Sequence, residues 1–206
     1  MRNRPRRLMA LAAVLSAATA AGAGAQTAVE SNLAAHGTEL GGTIAAAVTA
    51  SETAPMVSGS AGWGLSRWVL VEARGAWFAR GENTHGVNAD VGAVVNLISK
   101  RQTTPYAGLA FGLYQETTSS SAAEVSPFYR KRMTEPAGRP GSQQTFTDPA
   151  WRISGGIDFV RHRNISIRPE ASVVLVHRNG ATDTITTIGV RLGYVFEDHP
   201  VTPSIR

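Results

Sequence analysis

From residue 39 to residue 196 the chain alternates apolar and small or polar residues with a period of two, and a helical period is hard to find. The alternation recurs in eight stretches: 39–49, 56–65, 67–79, 86–98, 105–115, 150–160, 164–177 and 183–196. Each has about the 9–11 residues, or more, that a tilted strand needs to cross a bilayer. From Val69 onward in the third stretch, and throughout the others, no charge falls on the apolar parity; Arg67 belongs to the turn. In the last one that parity ends Ile188, Val190, Leu192, Tyr194; in the third it reads Val69, Val71, Ala73, Gly75, Trp77. The opposite parity carries Glu39, Glu72, Arg74, Asp90, Arg152, Asp158, Arg168, Glu170 and Arg191, with glycines and serines between them.

Such a pattern suits a closed barrel whose narrow bore holds the charged parity. Small residues beside long ones fill that bore. Five acids face four bases, and every base is an arginine, whose planar fork suits paired carboxylates. The expectation is a paired lumenal network rather than an ion-conducting ring of one sign. The aromatics Trp63, Trp77, Trp151, Phe159 and Tyr194 fall mostly near strand ends, as interfacial girdles do.

The connections support the same topology. With the N-terminus on the inner side, the short links fall at one end: Ser66, the SKRQTT stretch and Arg161–Arg163. The others, a stretch around SETAP, RGENTH, NGAT and above all residues 116–149, fall at the other end. Short inner turns and long outer loops are the habit of outer-membrane barrels. Segment 116–149 is polar and rich in Pro, Gly and Ser, and reads as one long outer loop. Pro169 cannot donate to a ladder, so an irregularity is expected there.

The N-terminus reads as an export signal. Arg2, Arg4, Arg6 and Arg7 precede an apolar run from Leu8 to about Ala21, then Ala23-Gly24-Ala25. This predicts a signal peptide over 1–25, a short segment over 26–38, the barrel domain over 39–196 and a tail over 197–206. The chain holds 20 Lys and Arg against 15 Asp and Glu. Without the leader's four arginines the balance is 16 against 15, which leaves no footprint for nucleic acid. There is no cysteine, so disulfides and thiolate metal sites are excluded.

Alternation alone also fits a soluble periplasmic barrel, apolar face inward, that binds a small apolar ligand. The lysine count argues against it. A soluble surface is usually rich in lysine and glutamate, yet this chain has Lys100 and Lys131 alone, neither inside a strand.

Two stretches resemble a known family. Gly155-Gly156-Ile157-Asp158-Phe159, a short basic turn and Arg168-Pro169-Glu170 resemble the outer membrane protein β-barrel domain of small OmpA/OmpX-type barrels. Thr187, Gly189, Leu192 and Tyr194 resemble the C-terminal signal read by the outer-membrane assembly machinery, although ten residues follow Phe196. The resemblance implies an all-β, eight-stranded, antiparallel up-and-down transmembrane barrel. It implies residence in the bacterial outer membrane, with that membrane's lipids and its assembly machinery as partners.

Chemistry is sparse. The histidines His36, His85, His162, His177 and His199 are scattered, and no pair has metal-ligand spacing on one element. No cofactor motif is present. A lipid A-modifying enzyme on the same scaffold would place a serine close to an outer-rim histidine, but residue 179, two after His177, is asparagine. The expected role is non-enzymatic, structural or surface-interactive. In the long loop Arg130, Lys131 and Arg132 are candidate contacts for lipopolysaccharide phosphates, within a loop whose overall charge is balanced.

Overall fold

A computed structural model describes residues 37–49, 53–80, 84–98, 103–119, 127–130, 143–161 and 164–196. Among the described residues eight strands occur: β1 (Thr38–Val48), β2 (Thr53–Gly64), β3 (Val69–Ala79), β4 (Thr84–Asn96), β5 (Thr103–Ser119), β6 (Gln143–Arg161), β7 (Ile165–Arg178) and β8 (Ala181–Phe196). One helical turn, α1 (Pro127–Arg130), lies between β5 and β6. The strands form a closed antiparallel barrel in chain order, and β8 pairs with β1. Closure removes every free edge within the wall.

The register sets the barrel's dimensions. Crossing perpendicular to the strands, Thr38 faces Trp63, then Val71, Ala93, Leu109, Ile153, Val173 and Thr186, and returns to β1 at Val48. One circuit therefore climbs ten residues. Ten over eight strands, with about 3.3 Å per residue and about 4.8 Å between strands, gives a tilt of about 40° and an axial rise of about 2.5 Å per residue.

The two faces are inverted relative to a water-soluble barrel. Ile44 is 75% exposed and Leu192 60%, while Glu72 and Arg191 are each 1% exposed. Water would drive the reverse arrangement. The outward apolar band is about 25–30 Å tall along the axis, the height of an outer-membrane hydrocarbon layer. Aromatics mark its limits. Trp63, Tyr194, Phe196 and Trp68 are exposed near the inner end, with Phe159 half-buried beside them. Trp77 and Trp151 are exposed about 20 Å higher, with Phe111 against Trp151 at 4.8 Å between ring centroids.

The long outer loop is shorter than the sequence suggests. β5 runs on to Ser119 and β6 starts at Gln143, so residues 116–119 and 143–149 are strand rather than loop. The threonines Thr117, Thr118, Thr145 and Thr147 favour extended backbone and keep the two-residue alternation going. The hairpin rises about 10–15 Å past the apolar band. The NGAT connection is also shorter than expected. Arg178 pairs with Ala181 around Asn179 and Gly180, whose φ angles of 48° and 79° fit a two-residue type I′ turn. At Pro169 the β6–β7 ladder skips Ile157 and Asp158 and resumes in the same register, so it opens without a bulge. Segments 1–25 and 197–206, and all of 26–38 but Gly37 and Thr38, lie outside the described residues.

Candidate functional site

The lumen is layered. Its inner half holds the charged parity. Arg168 reaches Asp158 at 2.9 Å and Glu39 at 2.7 Å. Arg191 lies 3.2 Å from the other Glu39 oxygen and donates to Glu72. Arg152 takes the far side of Glu72 at 3.2 Å and Asp90 at 2.8 Å. The seven groups therefore alternate in sign along one chain: Asp158, Arg168, Glu39, Arg191, Glu72, Arg152, Asp90. Arg74 and Glu170 form a separate pair at 2.6 Å. All nine are buried, so each charge depends on its neighbours for the solvation that water would supply.

Cross-strand geometry makes room for this. Arg168 and Arg191 face each other in register, a repulsive placement that Glu39 bridges from β1. A β-carbon at Gly41 would collide with Arg191 Nε. Tyr106 belongs to the same layer. It donates to Glu170 at 2.9 Å, and the Arg168 guanidinium stands 5.4 Å from its ring centroid.

Above the charges lies an apolar layer that the sequence reading did not foresee. The charged parity was expected to alternate with small residues alone. In the outer half of the lumen it instead carries Met56, Phe78, Tyr114, Val174, Val176 and Ile185, with Ala47, Ala76 and Ala150 between them, all buried. Phe78 and Tyr114 meet edge to face at 5.9 Å. The layer draws on every strand but β4, which at this height points the buried Asn88 inward, hydrogen-bonded to Asp90, and it lies between two charged zones.

The upper zone combines residues beyond the predicted strand ends with Asp183, the first residue of the predicted eighth strand. Arg80 lies 3.4 Å from Asp183 and 3.7 Å from Glu116. Arg178 pairs with Asp148 at 2.9 Å. Glu116 and Asp148, read as loop residues, are buried at 0% and 1% exposure. Extending the inward parity of β3, β5, β6 and β7 by two residues reaches Arg80, Glu116, Asp148 and Arg178.

Tyr129 of α1 closes the top. It is fully buried, stacks on Phe146 at 5.2 Å and meets Phe128 at 4.8 Å. Burial, reinforced by the Glu116 carboxylate, pushes its phenol well above the usual value. In the sequence Tyr129 directly precedes the basic run Arg130, Lys131 and Arg132 of the long outer loop. Of that run only the backbone of Arg130 is described, as the last residue of α1; Lys131 and Arg132 lie outside the described residues.

His177 is exposed at the outer end of β7 and hydrogen-bonds Thr182 at 3.1 Å. Ser172 is buried on the opposite face and shares a 2.7 Å hydrogen bond with Thr187. The two side chains point to opposite sides of the wall, so β7 assembles no nucleophile and base from them. Among the described residues no cluster of three or more His, Asp or Glu is arranged to hold a metal ion.

Comparison with known proteins places this architecture. The sequence matches the outer membrane protein β-barrel domain family over residues 8–196. No curated protein matches it at a significant level. Neisserial surface protein A is similar in structure, with a TM-score of 0.57 at 9% identity, over 79% of this chain and 98% of that one. The attachment invasion locus protein Ail of Yersinia pestis gives a TM-score of 0.48 at 14% identity, over 78% of this chain and 97% of that one. The outer membrane enzyme PagL gives 0.43 at 10% identity, over 76% and 98%. At these identities the likeness is one of fold alone. With the family match spanning every strand, the chain belongs to the outer membrane protein β-barrel domain family and is a protein of the bacterial outer membrane.

Proposed function

We propose that this protein is a sealed, non-enzymatic barrel whose lumen is a rigid scaffold and whose outer rim is a contact surface. The apolar layer of Met56, Phe78, Tyr114 and Ile185 carries this reading. A water or ion path would have to cross it, and an ion leaving water for an apolar constriction meets a high barrier. The charged zones on either side are internally paired, which supports a packed plug rather than a permeation pathway. The rim is formed by the raised β5–β6 hairpin, α1 and the β7–β8 turn. We include in it the basic residues Arg130, Lys131 and Arg132 as contacts for lipopolysaccharide phosphates.

Planar-bilayer recording tests the seal. The parent barrel should give no unitary conductance. The triple variant Met56→Ala, Phe78→Ala, Ile185→Ala, still heat-modifiable on gels, should give discrete steps. Steady conductance in the parent would refute a sealed lumen. Release of fatty acid from lipopolysaccharide by the refolded protein would refute the non-enzymatic reading.

A further inference from the structure

At the inner end of the barrel two connections are tied into one platform. In the β2–β3 turn the Ser66 hydroxyl accepts hydrogen bonds from the backbone N–H of Trp68 at 3.2 Å and of Val69 at 3.1 Å. Asn96, at the end of β4, joins this turn to the next connection. Its backbone N–H donates to the Trp68 carbonyl at 2.8 Å, and its side-chain amide to the Arg67 carbonyl at 2.9 Å. The Leu97 N–H then donates to the Pro105 carbonyl of β5 at 2.9 Å. The ends of β2 to β5 are therefore set before any ligand arrives. Leu65 and Leu97 continue the outward parity of β2 and β4, and both are exposed at the lower limit of the apolar band. Arg67 is exposed at the same limit.

The charge of Arg67 stands apart. Among the described side chains, Arg74, Arg80, Arg152, Arg168, Arg178 and Arg191 each have a carboxylate partner, and Arg67 has none. The β4–β5 connection adds Lys100 and Arg101, two and three residues after Ile98. Both are within three residues of Thr103 at the start of β5, so chain reach alone keeps them at this end. Neither connection contains an acid. The acids of the flanks, Glu30 before β1 and Glu197 and Asp198 after β8, join the ring at the β8–β1 seam. That seam lies four strands from the β4–β5 connection in either direction, about 16 Å across the ring, against a screening length of about 8 Å in physiological salt.

A ligand for this platform has to match two chemistries at once. Arg67, Lys100 and Arg101 attract an anion, while Leu65 and Leu97 beside them are covered by hydrocarbon. A soluble anion meets the first alone. A zwitterionic lipid offsets its own phosphate with an amine. We propose that the β2–β3 and β4–β5 turns form a site for an anionic phospholipid of the inner leaflet, with its phosphate on Arg67 and its acyl chains along Leu65 and Leu97. Each base near an anionic surface contributes about fivefold in binding. The proposal requires residence in the outer membrane and is independent of the sealed lumen and of the outer rim.

Bromine quenching of Trp63, exposed on β2 two residues above Leu65, reads the lipid at this site and not at the outer rim. The full chain carrying Trp68→Phe, Trp77→Phe and Trp151→Phe is refolded into phosphatidylcholine vesicles. These contain equal small fractions of either dibrominated phosphatidylglycerol or dibrominated phosphatidylethanolamine. The anionic lipid should associate at least about tenfold more strongly than the zwitterionic one. Arg67→Gln should lower that ratio about fivefold, and Arg67→Lys, which keeps the charge, should leave it within about twofold. The triple variant Arg67→Gln, Lys100→Gln, Arg101→Gln should abolish the preference. Heat-modifiable mobility checks that each variant folds. Equal quenching by the two lipids, a ratio unchanged in folded Arg67→Gln, or a preference that survives the triple variant would overturn the site. Soluble polyglutamate and glycerol phosphate should leave the ratio as it is. If either removes the preference, the turns bind a soluble anion or an acidic protein, and the phospholipid site is refuted.

Discussion

Replacing Arg191 with methionine tests the alternating charge chain at its centre. Arg191 is 1% exposed and touches two carboxylates, Glu72 and Glu39. Removing one partner of a buried pair costs about 3–5 kcal/mol, because a charge remains without compensation. Here each carboxylate keeps a second guanidinium: Arg152 on Glu72 at 3.2 Å and Arg168 on Glu39 at 2.7 Å. The loss should therefore sit at the low end, about 3 kcal/mol. With a urea slope of about 2 kcal/mol per molar, the unfolding midpoint falls by about 1.5 M. The double variant Arg191→Met, Glu72→Gln removes the surplus charge and should recover at least about 1 kcal/mol of the loss. Tryptophan fluorescence during reversible urea unfolding in vesicles reads both. If the single variant stays within about 0.5 kcal/mol of the parent, or the double falls below the single, electrostatic continuity along the chain is refuted.

The two wall faces predict opposite outcomes for glycine. At Gly112 a β-carbon would strike the Ala89 carbonyl and the Asp90 backbone, so Gly112→Ala should cost about 3 kcal/mol or block refolding. At Gly75, on the lipid face, nothing lies within 4 Å of that position, so Gly75→Val should raise stability by about 0.5–1 kcal/mol in the same urea assay. The raised Tyr129 phenol predicts a pH effect. The fold favours its neutral form, so this stability is fully present below the ordinary phenol value of about 10 and is lost as pH rises above it. Urea midpoints measured from pH 9 upward should fall less steeply for Tyr129→Phe than for the parent; equal slopes would show that the phenol is not shielded.

Much of this barrel can be read from its residues because a two-residue period has only two faces. Once no charge falls on one parity, Leu192 and Tyr194 must share a side and Arg191 must take the other, whatever their partners. The number of strands and their inside-out sense follow from the same pattern and from the scarcity of lysine. Alternation carries no information about where a hairpin stops, because Thr117 and Thr145 alternate as well above the membrane as within it. This is why Glu116 and Asp148 read as loop residues and emerged as a buried ring.

Only tertiary structure decided which charges meet. Arg168 and Glu39 are 129 residues apart, and Arg191 and Glu72 are 119. They pair because a climb of ten residues per circuit brings distant strands to one height. That climb also gathers Met56, Phe78, Tyr114 and Ile185 into one layer. Sequence dictates the face a side chain takes, through the local geometry of the pleat. The level it occupies in the lumen is a property of the closed ring, which no single strand contains.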